Sequence, residues 1–205
     1  MVSKTTHHHP HAHHADLTQR NGVDASVLPD EPLPDATGTW VVDTNVILVA
    51  NGQHEGVDAQ TVKTCARWLQ ALMQTGRLAL DDRHEILSEY QHKTHASDGQ
   101  GVGDAFLRWV LHNMDNPARI DLVTIDPDSL RAYAAFPDDT RLQAFDASDR
   151  KFVAVARAHP EHPPIWQATD SKWLDWSPAL ADHGVSVRFL CEDTLRAFHR
   201  HKFGV

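Results

Sequence analysis

From Trp40 onward the chain alternates between two kinds of segment, and that alternation limits the folds open to it. Five short apolar runs, "WVVD", "RLALD", "IDLVTID", "IWQAT" and "VSVRFL", have the length and composition of strands. Between them lie longer segments with helical spacing. In "DAQTVKTCARWLQALMQTG" the apolar residues Val62, Cys65, Ala66, Leu69, Leu72 and Met73 share a face, and Gly76 follows at the stop. "TNVILVANG", "RHEILSEYQHKT", "AFLRWVLHNM", "ASDRKFVAVARAH" and "CEDTLRAFHRHKF" read as further helices, the first capped by Thr44 or Asn45. Parallel strands need a long crossover, and a helix is the usual one. The expected fold is α/β, a three-layer domain with a five-stranded parallel sheet covered by helices on both faces.

Residues 1–38 break the pattern. They are rich in His, Asp and Pro, lack periodicity, and read as a disordered tail ahead of a domain at 39–205. The six histidines of "HHHPHAHH" suit transition metals by composition, but the tail reading places them outside any active site. The start is His-rich rather than basic and then apolar, so it does not read as a secretory signal. No apolar run is long enough to span a bilayer, and no membrane association is expected. Cys65 and Cys191 form no motif, which fits a reducing cytoplasm. A net charge of −9 argues against a basic coat for nucleic acid and leaves room for clustered acids.

The acids fall at telling places. The most hydrophobic stretch, "VVDTNVILVA", carries Asp43 in its middle, and a buried unpaired carboxylate costs several kcal/mol or is neutralised. Asp43 ends the first strand and Asp170 follows the fourth. Glu85 and Glu89 lie one turn apart on the helix after the second strand, and Asp146 and Asp149 flank the start of "DRKFVAVA". Ligands of parallel α/β sheets bind at the carboxyl ends of strands near a switch in strand order. Carboxylates gathered there stay ionised only around a positive charge, and an all-oxygen donor set suits Mg²⁺ or Mn²⁺. Simpler roles stand beside these. Asp43 can cap a helix, Glu85 can be a first-turn acid favoured by the helix dipole, and Asp146 can cap or support from behind. "GQGVG" follows no strand and reads as a flexible loop. Among the tryptophans, which belong by default to the core, Trp173 and Trp176 are the pair placed to stack on bases. Arg196, Arg200 and Lys202 end the chain as a solvated helix or as contacts to an RNA backbone.

"VVDTNV", "LSEY", "DRKFVAVA" and "ATDSKWL", in that order, resemble the motifs of PIN-domain nucleases over about four-fifths of the chain. The resemblance implies a PIN-like five-stranded parallel sheet and Mg²⁺- or Mn²⁺-dependent cleavage of RNA, often by a toxin paired with an antitoxin. By motif position, Asp43, Glu89, Asp149 and Asp170 would be the catalytic metal ligands. Thr44 and Asn45 would orient Asp43 or touch the phosphate, with Glu85 and Asp146 behind. The partners implied are an RNA substrate and an antitoxin, and a homodimer is carried beside them. The segment "HASDGQGVGDAFLRWVLHNMDNPAR" stands out as an insertion. Two other readings are kept. A haloacid-dehalogenase-like phosphatase also places an aspartate after its first strand but needs a second Asp where this chain has Asn45. A PIN-like module that binds RNA or protein without cutting is the other.

Overall fold

A computed structural model describes residues 32–204. The His-rich tract and the rest of the tail up to residue 31 lie outside the described residues. Residues 32–37, assigned to the tail from sequence, pack against the domain: Ala36 is fully buried and its carbonyl accepts from Trp40 Nε1 at 2.8 Å.

The elements follow in order as β1 (Gly38–Val42), α1 (Thr44–Ala50), α2 (Ala59–Thr75), β2 (Gly76–Asp81), α3 (Glu85–Lys93), α4 (Val102–Asn113) and β3 (Ile120–Val123). A short hairpin, β4 (Pro127–Asp128) and β5 (Ala132–Tyr133), and two 3-10 turns, Thr140–Leu142 and Ala147–Asp149, lead into α5 (Arg150–Ala158). Then come β6 (Ile165–Gln167), α6 (Lys172–Asp182), β7 (Val187–Phe189) and α7 (Glu192–Phe203). The five long-range strands form one parallel sheet in the order β3-β2-β1-β6-β7, and the expected three-layer α/β architecture is what the chain adopts. Helices α1, α2 and α4 pack on one another, while α5 packs against β1, β2 and β6. No helix among the described residues is long and apolar enough to cross a membrane.

The chain builds outward from β1 to β2 and β3, then returns past β1 to add β6 and β7. The reversal leaves a switch point between β1 and β6, where connections leave the two strands in opposite directions and a crevice opens. The amide of Asp43 donates to Trp166 O at 3.0 Å and joins the ends of these two strands.

Three local outcomes differ from the sequence reading. First, "DGQGVGD" is an ordered junction. Gly101 caps α4 and Gly103 lies inside it, so close to α1 that an added Cβ would sit 2.3 Å from Ile47 O. Buried Asp104 ties the junction down, accepting from His95 N at 3.0 Å, Gly101 N at 3.2 Å and Asn51 Nδ2 at 2.9 Å. The apparent insertion is therefore a helix of the layer formed with α1 and α2. Second, α6 forms across Pro178. Proline removes one backbone donor from a helix, but burial of Trp173, Ala179 and Leu180 holds the segment in place. Third, β3 ends at Val123 rather than running on through "TID".

Replacing Gly103 with Ala should destabilise the domain by about 1–3 kcal/mol through overpacking, even though Ala is the better helix former. Chemical denaturation checks this; a variant as stable as the parent would mean that α4 can step back from α1.

Candidate metal centre

Asp43 leaves β1 in extended conformation and caps α1 itself, its Oδ1 accepting from Asn45 N at 2.8 Å. The cap is thus neither Thr44 nor Asn45, whose side chains have other partners. Asn45 spans the switch point: its Oδ1 accepts from Thr169 N at 2.7 Å and its Nδ2 donates to Thr169 Oγ1 at 2.9 Å. That clamp fixes the backbone just ahead of Asp170. Gln167, fully buried at the end of β6, shapes the same turn by accepting from Ala168 N at 2.8 Å. The hydroxyl of Thr44 donates to Glu89 Oε1 at 2.6 Å.

Asp149 ends the 3-10 turn before α5, and Asp146 begins it. Each of Asp146, Asp149 and Asp170 offers a carboxylate oxygen, and the three oxygens lie within 4.8 Å of one another. This group could hold a divalent ion. Asp146, expected only as a supporting residue, is therefore a member of the cluster. Asp43 and Glu89, expected as ligands, lie outside this tight group, and the Glu89 charge raises Asp149 within it. Burial raises the Asp149 carboxyl to about 6, and repulsion from Asp170 adds to it. Burial likewise raises Asp43 well above the usual carboxylate range, helped by Asp149, Glu89 and Asp170.

Glu85 and Glu89 share a helix face, but their partners separate them. Glu85 accepts from the Tyr133 hydroxyl on β5, away from the cluster. Glu89 faces Thr44 and the buried amine of Lys151, 2.5 Å from its Oε2. Tyr90, next along α3, donates its hydroxyl to Val42 O and so seats the helix against the end of β1.

Sequence reasoning passed over two lysines. Lys151 pairs with Glu89 and donates to Ser148 O; Lys172 Nζ lies 2.8 Å from Asp146 Oδ2. The available signal was a lysine two residues after each of two candidate acids, one of them inside the apolar run "KFVAVA". Asp81 was passed over too. It ends β2 as Asp43 ends β1, but its two oxygens accept from Glu85 N at 2.8 Å and Ile86 N at 2.9 Å, so it is committed to capping α3. Of the three basic residues on the last helix, Lys202 lines a cavity beside Asp170, whereas Arg196 pairs with Glu192 one turn back and Arg200 is exposed away from that lining. Trp173 and Trp176 are no stacking platform: Trp173 is fully buried, and the two rings pack 5.0 Å and 4.5 Å from Phe145.

The donor set fits a hard divalent cation, since it is all carboxylate oxygen and its charge is left under-compensated at Asp149. No protein-family model matches the chain, and no curated protein or solved structure matches it either.

Two outcomes follow. The folded pKa of Asp149 lies above its unfolded value of about 4, so its stabilising contribution is present at low pH and lost as pH rises through about 6. In EDTA, Asp149→Asn should melt higher than the parent at pH 8, with the gap closing towards pH 4; equal melting temperatures throughout would remove the electrostatic account. Lys172→Met takes away the cation that competes for Asp146, so calorimetric titration should give several-fold tighter Mn²⁺ binding. Unchanged or weaker binding would mean that Asp146 takes no part.

Proposed function

We propose that the chain is a metal-dependent ribonuclease of PIN type, hydrolysing RNA phosphodiester bonds with Mg²⁺ or Mn²⁺ held by Asp146, Asp149 and Asp170. The observation that carries this is the position of the three acids: they converge at the switch point of a parallel sheet, where ligands of such sheets bind. Two acids of the motifs that resemble PIN nucleases, Asp149 and Asp170, belong to this cluster, which supports the reading. A divalent ion there supplies an activated water and neutralises charge on the scissile phosphate.

The chain's own residues hold the geometry. Asn45 clamps Thr169 and so fixes the turn that presents Asp170. Thr44 and Lys151 together fix Glu89, whose negative charge deepens the potential at Asp149. Asp43 anchors the end of β1, its carboxyl held well above the usual range by burial and by the neighbouring acids. At a net charge of −9 long-range attraction to RNA is weak, so binding relies on local cations. Lys172 and Lys202 are the side chains placed for this. The phosphatase reading loses its second acid, because the position two after Asp43 is an asparagine engaged with Thr169.

A labelled single-stranded RNA panel incubated with Mn²⁺ should be cut, and EDTA should stop the cutting. Asp149→Asn and Asp170→Asn should abolish cleavage while keeping the fold, and Asp43→Asn should do so with raised stability in EDTA. RNA that binds and stays intact would favour the non-cleaving module. The resemblance extends the proposal to a toxin held by an antitoxin in the cytoplasm. Expression of the chain alone should then arrest growth, and expression of Asp149→Asn should not.

A further inference from the structure

Beside the acid cluster lies a cavity of about 640 Å³ that the catalytic reading leaves unused. Its floor is Asn45, Thr169, Asp170 and Ser171, so it shares Asp170 with the cluster. One wall is His54 and Glu55, from the connection between α1 and α2. The other is Phe198, His201 and Lys202 of α7, residues three and four apart and hence on one helix face.

That face is held in place. Leu195 is fully buried; Thr194 Oγ1 lies 3.0 Å from Thr61 Oγ1 on α2, and Cys191 Sγ contacts Thr61 O at 3.9 Å. On the other side His199 Nε2 lies 3.0 Å from Asp175 Oδ1 of α6. The cavity thus has walls from two separate parts of the chain, and the α7 wall is anchored against α2 and α6.

Its size is that of a small organic ligand, in the usual span of about 300–1,000 Å³. A phenyl ring and two imidazoles are rings on which nucleobases stack without regard to sequence. Lys202 is the one Lys or Arg in the lining and Glu55 and Asp170 are acidic, so the lining is wrong for a polyphosphate. It suits a base with one phosphate at its edge. A phosphate at the cluster would lie next to Asp170, at the cavity floor.

Building on the ribonuclease reading, we infer that this cavity is the subsite for one base of a single-stranded nucleic acid, the base adjoining the phosphate held at the acid cluster.

The test uses the full chain in Mg²⁺ with nucleoside 5′-monophosphates, which contain no phosphodiester bond to cut, and ribose 5-phosphate as the base-free control. The nucleotides should bind more tightly than ribose 5-phosphate and shift the imidazole resonances of His54 and His201. Phe198→Ala and His201→Ala should each weaken nucleotide binding about fivefold or more, as loss of a stacking partner does, and leave ribose 5-phosphate binding unchanged. His201 is exposed, so its variant keeps the test open if Phe198→Ala fails to fold. Equal binding of nucleotides and ribose 5-phosphate, or unchanged affinity in a folded His201→Ala, would overturn the subsite. RNA that is cut despite such a result leaves the ribonuclease reading standing; nucleotides that bind as expected while RNA stays intact overturn that reading and leave the subsite.

Discussion

The pairing of β1 with β6 is the constraint from which the rest of the structure follows. Val41 and Val42 lie beside Ile165 and Trp166, two strands from opposite ends of the domain sequence. Their parallel alignment brings both carboxyl ends to the same edge of the sheet. Asp43 leaves one and Asp170 follows the other, and the Asn45–Thr169 clamp ties them a few residues further on. Without this alignment the acids would be scattered surface charges. With it, α5 must cross the sheet on the far side from α2, and its amino end delivers Asp149 to the same crevice.

Gathering acids in this way opposes folding, and the chain offsets the cost locally. Burial and mutual repulsion both favour protonated carboxyls. Lys151 and Lys172 answer for Glu89 and Asp146, and backbone amides answer for Asp43 and Asp81. Among the described residues, Asp149 has the Ser148 hydroxyl alone, at 3.2 Å. The uneven distribution of partners leaves negative charge concentrated around Asp149, in the group of acids that could hold a divalent ion. Structural acids such as Asp81 and Asp104 have two or three donors each, and the contrast with Asp149 separates framework from site.

Much of the fold was legible because it rests on period and punctuation. The five strands and the helices over α1 to α5 and α7 carry clear apolar patterns, and α1, α2, α5 and α7 stop beside Gly or Pro. The turn-rich segment between β3 and α5 and the proline-bearing α6 were not legible. Tertiary burial decides both, through Tyr133, Phe136 and Phe145 in one case and Trp173 and Leu180 in the other. The glycines of "GQGVG" misled for a related reason. Their meaning is the close approach of α4 to α1, a relation between distant segments rather than a local signal. At the site, the strand-end and helix-start acids could be picked out from sequence, since topology alone places them. Their ranking could not. Whether Asp146 stands inside or behind the cluster turns on the path of one 3-10 turn. The lysines that balance the acids are chosen by side-chain reach across elements, which a linear pattern does not encode.

The Asn45–Thr169 clamp joins residues 124 positions apart, and that span orders events during synthesis. Domains emerge from the ribosome amino end first. The outward half, β1 to β3 with its helices, can assemble from near neighbours, and Asp43 waits there at the end of a strand still open on the side that β6 will take. The long closure that adds β6 is entropically the late step. The acid cluster is completed last: a chain interrupted before Asp170 lacks one of its three acids, and one interrupted before β6 lacks the crevice as well. A molecule built in this order gathers its three acids only when it is nearly complete.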